Sequence, residues 1–569
     1  MQRVVRFVVL IGMVTTAGCG GQADSPEAAD DATMPVAGLP AIDASRMLAD
    51  ITTLASDEFE GRLPGTDGEQ RTVRYLTDQF AAAGLSPGNP DGTWTQAVPL
   101  VGITGRPSDL RVAPVSGGSG PARTLAQGED VVAWTRRVTD HVRLDPSELV
   151  FVGYGVEAPE FDWDDYKGID TAGKTLVMLV NDPPVAGGDG QLDPTIFGGR
   201  AMTYYGRWTY KYDKGAEKGA AAVLIVHETG PAGYGWNVIQ GFGGERFDLE
   251  TPDRNMGFAA MEGWLHVDRA RELFAAAGHD FDALKQAAAS RDFRPVSLGM
   301  TAAMTIDNTV RRIQSQNVVA RLAGSDPARA DQHVVFTAHW DHLGVGTPVE
   351  GDAIYNGAVD NATGVAALLE IARAFAAMRP APARSILFLA VTAEEAGLLG
   401  SAYYAADPLY PLAGTAANIN IDAMNVHGRT SDVVLIGRGA SELDDYAEVA
   451  AAEQGRTIVA DPEPEKGSYY RSDHFNFAKV GVPALYAASG IEYRDRPAGW
   501  GRARRDEYTQ QRYHQPQDEV RPEWDLSGAA EDSAFYLAIG YRIANASRAP
   551  EWREGSEFKA IRDRSLGRR

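Results

Sequence analysis

S385-I-L-F-L-A-V-T-A-E-E395 carries an apolar run straight into two adjacent glutamates. A short run of this kind, from Ser385 to Val391, reads as a strand buried on both faces. Carboxylates at such a place are costly unless something compensates them. The neighbouring chain supplies the sheet in which this strand would sit. H333-V-V-F-T337, A417-N-I-N-I421 and V482-P-A-L-Y-A487 read as further strands, with helices over 364–378 and 441–453. That alternation predicts an α/β fold, a mainly parallel mixed sheet with helices on both faces. Upstream, I42–A55 and E69–L85 have helical spacing, the second ending at a glycine stop. Residues 148–305 are rich in Gly and aromatics, with short strands at L149–V152, T175–V180 and A221–V226.

In an open α/β sheet, ligands bind beyond the C-terminal ends of the strands. The polar residues expected there are A338-H-W-D-H342, G357-A-V-D-N361, T392-A-E-E395, Asp422 and S472-D-H474. They offer imidazole and carboxylate, and the only cysteine is Cys19 near the N-terminus. Such a set suits two divalent ions, zinc first, with manganese or cobalt as other occupants. A two-metal site needs one shared carboxylate and a histidine on each ion. Asp360 can be shared, His339 and Asp422 can serve one ion, and Glu395 and His474 the other. Glu394 is then left without an ion and is placed to move a proton. His141, His227, His266, His279 and His514 have no ligand-like surroundings and read as structural or exposed. His342 and His427 read as neighbours of the site or structural, and Asp473 as a helix cap.

Together, H339-W-D341, G357-A-V-D-N361, E394-E395, Asp422 and S472-D-H474 resemble the co-catalytic zinc aminopeptidases, whose family includes glutamate carboxypeptidase and the transferrin receptor ectodomain. The resemblance covers most of residues 41–545. It implies that His339, Asp360, Glu395, Asp422 and His474 hold two zinc ions, with Asp360 bridging. It implies peptide substrates, Glu394 as general base and then acid, Asp341 as the carboxylate behind His339, and a cis peptide at Asp360–Asn361. Some members stabilise the oxyanion with a tyrosine just before the last histidine. Here that position is Asp473, so Tyr469, Tyr470 or a metal alone takes the role. Y154–G168 and G219–V226 resemble the protease-associated domain, an insertion that shapes substrate access. Y204-Y-G-R-W-T-Y-K-Y212 would line the cleft or pack a core.

The expected organisation is a peptidase domain over 41–125 and 306–548, an insert over 126–305, and a solvated basic tail over 549–569. Two other readings share the scaffold: a catalytically inactive binding module and a single-zinc glutaminyl cyclase. Aminopeptidase, carboxypeptidase and dipeptidase action are not separated, because that depends on which charge lies at the end of the cleft.

A net charge of −23 excludes a nucleic-acid partner, which needs clustered Lys and Arg. Arg3, Arg6 and the apolar run Phe7–Val14 read as an export signal. T16-A-G-C19 resembles the bacterial lipoprotein processing box, which makes Cys19 the lipidated residue, the membrane contact and the start of a flexible tether over 20–40. No later apolar run approaches the roughly 20 residues of a membrane span. G168-I-D-T-A-G-K-T175 matches the phosphate-loop pattern, yet acidic F161-D-W-D-D-Y166 precedes it and a β-rich segment follows, so it reads as a turn. No H-E-x-x-H occurs, which disfavours a zincin, and the G-x-S-x-G match G84-L-S-P-G88 follows a helix where a serine-hydrolase elbow must follow a strand.

Overall fold

The computed structural model describes residues 31–36, 38–116, 121–240 and 244–568. The export signal and Cys19 lie outside them. Helices α1 (Ala44–Leu54) and α2 (Asp67–Ala82) come first, capped by the Asp43 carboxylate and the Thr66 hydroxyl. There follow β1 (Thr95–Pro107), β2 (Val131–Trp134), β3 (His141–Phe151), β4 (Thr175–Leu179), α3 (Trp208–Glu217), β5 (Ala222–His227), β6 (Met261–His266) and the long β7 (Val296–Leu322). The remainder alternates: β8 (His333–His339), α4 (Gly364–Ala377), β9 (Ser385–Val391), α5 (Leu399–Ala406), β10 (Thr415–Asn420) and β11 (Asp432–Ile436). It closes with α6 (Leu443–Glu453), β12 (Thr457–Ala460), α7 (His474–Lys479), β13 (Ala484–Ser489), α8 (Trp500–Gln511) and α9 (Ser527–Asn545).

The central sheet has β8 between β9 and β10, parallel to both, with β13 parallel beyond β10. The C-terminal end of β7 lies antiparallel on β9, and β11 lies antiparallel on β13 with β12 parallel beyond it. Side chains alternate between the two faces, as a doubly covered sheet requires. Val334, Phe336 and Ala338 join the apolar residues of α1, α2, α4, α6 and α9. Val335, Leu387 and Leu389 pack instead with Phe475, Phe477, Trp552 and Phe558.

A second core forms where β3, β4, β5 and β6 run parallel, with β2 antiparallel on β6. Leu110 and Val112 already belong to it, so the chain enters this core well before residue 126. Strand β7 closes it: Val296–Asp307 pairs with β3, Ile306–Val318 with β1, and Val318–Leu322 with β9. One strand therefore borders both cores.

Two expectations about the ends of the chain do not hold within the described residues. The tether reading fails at its C-terminal end. Ala32 is buried, and the Asp31 carboxylate accepts hydrogen bonds from the Ser547 main-chain N–H and hydroxyl. Nor is the basic tail solvated. Trp552 and Phe558 are buried, Trp552 donates its indole N–H to the Gly481 carbonyl, and Arg562 bonds the carbonyls of Leu412 and Thr415. Charge composition concealed both cases, because a few anchoring side chains decide where such a segment lies.

Candidate metal centre

Because β8, β9 and β10 run parallel, the residues just past their C-terminal ends share one edge. His339 is the last residue of β8. Past β9, Ala393 takes a left-handed φ of 53°, as does Ala423 (φ 55°) just after Asp422. Such residues turn the chain sharply at a cost of about 1–2 kcal/mol each. The turn after β9 is tied down by Asp341, whose two carboxylate oxygens accept the main-chain N–H groups of Glu394 (3.0 Å) and Glu395 (3.3 Å). Asp360 reaches the edge from the segment before α4, where Asp360–Asn361 is a cis peptide. Gly357 is required at the entry to that segment. Its φ is 57°, and a Cβ there would lie 2.4 Å from the Asp360 carbonyl oxygen and 2.5 Å from the His342 ring.

These elements bring His339, Asp360, Glu394, Glu395 and Asp422 together. His339 Nε2 lies 3.2 Å from Asp360 Oδ1, 3.4 Å from Asp422 Oδ1 and 3.9 Å from Glu394 Oε2. Donor atoms of His339, Asp360 and Glu395 fall within 4.8 Å of one another, as do those of His339, Glu394 and Asp422. Ser472 donates to Asp422 at 2.6 Å, and Asn420 donates to Ser472.

His474 is not part of this group. Its ring is buried between Tyr469 and Tyr486, with centroids 4.7 and 5.1 Å away, and neither ring nitrogen meets hydrogen-bond geometry among the described residues. Burial pushes its pKa down to about 3. The histidine that does join is His514, in the loop after α8. Its Nε2 is 3.0 Å from Glu395 Oε2 and 3.3 Å from Asp360 Oδ2. Tyr513 precedes it, with its ring stacked on the imidazole at 3.8 Å and 44% of its surface exposed. Tyr469, in contrast, packs on His474, and Tyr470 bonds Glu557.

Supporting groups also depart from expectation. The carboxylate of Asp341 is 3.8 Å from His339 Nδ1, whereas the Asp341 carbonyl oxygen is at 3.2 Å, so the main chain does most of the orienting. Asp473 stands at the N-cap of α7 without capping it; its carboxylate accepts from Ser401. His342 bonds Glu395 through Nδ1. Asp518, four residues past His514, accepts the N–H groups of Val359 and Asp360 and the Tyr508 hydroxyl. Buried Arg62 donates to the carbonyls of Trp340, Leu54, Asn356 and Gly357, all main chain.

The electrostatics follow from crowding. Burial works against a charged His514, yet Glu395 and Asp360 raise its pKa to about 10. His339 is likewise held well above the ordinary value against burial, by Glu394, Asp360 and Asp422. Burial raises the Glu394 carboxyl well above the usual range, and Asp422 and Glu395 add to this against His339. Glu395 goes the other way, down to about 2, because the histidines outweigh its burial.

The donor set fits divalent cations. It comprises two imidazoles and several carboxylates converging without thiolate. The buried Nε2 of His514 faces two carboxylate oxygens without hydrogen-bond geometry to either, which suits atoms aimed at a common third point.

Residues 317–538 match the family model described as Peptidase family M28. A "Probable zinc metalloprotease" of Pyricularia oryzae is 35% identical over 173 residues, 29% of this chain and 30% of the relative. A "Probable glutamate carboxypeptidase AMP1" of Arabidopsis thaliana is 28% identical over 229 residues, 36% of this chain and 31% of the relative. The chain spans about a third of the length of these curated relatives. The solved "Aminopeptidase from Aneurinibacillus sp. strain AM-1" is 19% identical with a TM-score of 0.49, covering 89% of this chain and 95% of that one.

Proposed function

We propose that this chain is an exported zinc peptidase of the aminopeptidase type, working with two metal ions. One observation carries the reading: the two oxygens of Asp360 face different imidazoles, Oδ1 toward His339 at 3.2 Å and Oδ2 toward His514 at 3.3 Å. A carboxylate so divided is what a shared ligand requires, and it favours two ions over the single zinc of a cyclase. On this reading His339, Asp360 and Asp422 hold one ion, and Asp360, Glu395 and His514 the other. When bound, such ions polarise a carbonyl and acidify water.

Glu394 has no place among these ligands and stands beside them. With Oε2 3.9 Å from His339 Nε2, it is positioned to take a proton from the attacking water at a carboxylate oxygen and return it to the leaving amine. Tyr513, next to His514 on the cleft wall, supplies a hydroxyl donor to the carbonyl oxygen as it becomes anionic. Asp341 and His342 keep the two glutamates in place. The second core, read as a protease-associated-type insert, borders the same cavity of about 540 Å³ through Trp208 and Tyr212.

The deciding experiment compares Glu394→Gln with the native enzyme for zinc content and peptide hydrolysis. Zinc is expected to stay while turnover falls by a factor of roughly 100 or more. Near-native turnover would remove Glu394 from the role, and a chelator without effect on the native enzyme would remove the zinc reading. Export is tested separately by lipid labelling of Cys19→Ala, which should abolish incorporation.

A further inference from the structure

Glu60, Gly61 and Arg62 follow one another with left-handed φ of 49°, 63° and 52°. Two of the three carry side chains, for which this conformation is strained. Strain of this kind persists only where the surroundings hold it in place. The packing here is close: a Cβ on Gly61 would lie 2.4 Å from the Tyr355 carbonyl oxygen and 2.7 Å from that of Gly344, so only glycine fits. Past this point Arg62 turns inward and is 1% exposed.

Its guanidinium reaches three separate pieces of chain. Nε donates to the Trp340 carbonyl at 2.8 Å, Nη1 to those of Leu54 at 2.7 Å and Asn356 at 2.6 Å, and Nη2 to that of Gly357 at 2.8 Å. Trp340 stands between His339 and Asp341, and Gly357 opens the turn that delivers Asp360. Leu54 ends α1, so both loops are tied to a helix outside the metal centre. The Trp340 bond carries further, because Asp341 holds the main-chain N–H groups of Glu394 and Glu395. Burial pushes the pKa of Arg62 down to about 10, and the charges that oppose this are Asp341, Asp518, Asp360 and Glu395. Neutral donors could tie loops together with a smaller desolvation penalty. What they lack is a rigid plane of five donors that can bond several carbonyls at fixed angles.

We propose that Arg62 is a positioning residue of the metal centre: its planar fork fixes the loop of His339 and Asp341 against the turn of Asp360, and so sets the separation of the two ions that Asp360 would share. The proposal rests on the two-metal peptidase reading and adds to it a residue outside the ligand set.

The test compares the native protein with Arg62→Lys, Arg62→Met and a control, Arg384→Lys. Arg384 is 2% exposed and likewise bonds main-chain carbonyls, those of Ile543 and Ala546, but at the end of β9 away from the metal centre. Each protein is titrated with zinc against a competing chelator, loaded with cobalt(II) for its absorption spectrum, and assayed on alanine p-nitroanilide. Both Arg62 variants should bind zinc roughly 10- to 100-fold more weakly, the effect of losing a group that orients ligands, and should shift the cobalt bands. They should lower kcat by a similar factor with KM held within about threefold, because misplaced reacting groups slow the chemical step more than they weaken binding. Arg62→Lys keeps the charge but cannot span the carbonyls, so it should resemble Arg62→Met in both metal readouts. Arg384→Lys should lower thermal stability and leave zinc affinity and the cobalt bands as in the native protein. Native-like zinc affinity and spectrum in Arg62→Lys, or an equal disturbance in Arg384→Lys, overturns the positioning role and leaves the peptidase reading intact. If the native protein takes up metal but cleaves nothing, the peptidase reading fails, and Arg62 is decided by zinc affinity and the cobalt bands. A native protein that takes up no metal overturns both. Arg62→Lys carries the test even if Arg62→Met does not fold.

Discussion

Asp360 gives one oxygen to each of two imidazoles, and those imidazoles determine how the site behaves without metal. Both are held protonated by their carboxylate neighbours, His514 with a pKa of about 10 and His339 well above its ordinary value. Metal ligation requires them neutral, so zinc uptake must expel protons. Calorimetry at pH 7 in buffers of different ionisation enthalpy should read about two protons released per two-zinc loading; no release would contradict the site. The sign for stability follows from the same shift. In metal-free protein the His514 contribution is complete below its unfolded pKa of about 6.5 and is lost as pH rises through about 10. The depressed Glu395 acts oppositely: its contribution is present above about 4.5 and is lost as pH falls through about 2. Melting of chelated protein should therefore drop between pH 7 and 10 more steeply than melting of the zinc form. A third outcome concerns identity: His514→Ala should lose zinc stoichiometry, and His474→Phe should keep it, read by metal analysis after gel filtration. The sequence led to His474 because S472-D-H474 precedes a strand, whereas His514 has no ligand-like surroundings in the sequence and reads as structural or exposed. The legible sign was Y513-H-Q-P-Q-D518, an aromatic and a histidine in a turn with an aspartate four residues on.

Elements of strong pattern were readable, and those fixed by a few contacts were not. Ser385–Val391 forms strand β9 as expected, because a continuous apolar run has no other comfortable place. Helix α4 spans Gly364–Ala377 against an expectation of 364–378. Helix α8 escaped notice, since its twelve residues bury only Gly501 and so lack an apolar stripe. The tail was misread for a similar reason: two aromatics hold it amid many charges. Trp552→Ala should cost about 3–5 kcal/mol, measured by denaturant unfolding, because it empties a buried site and leaves the Gly481 carbonyl without its donor. A cost under 1 kcal/mol would mean that the tail is not anchored there.

At the scale of the molecule, the α/β fold was readable in the sequence, and the manner in which one strand borders two cores was not. No periodicity in residues 296–322 announces that one strand serves two cores, since the strand changes from β3 to β1 to β9 along its length. The converging histidines and carboxylates come from one core and much of the cavity wall from the other. At about 3.3 Å per residue, the 27 residues of β7 make a beam of roughly 80–90 Å. Its ladder with β1 continues across thirteen paired positions between the cores. A joint built this way transmits bending and resists swivelling. On the peptidase reading the size of what enters is set by side chains at the rim, and Trp208→Ala should widen the range of chain lengths accepted more than any change in the connecting ladder, read from hydrolysis rates over a peptide length series.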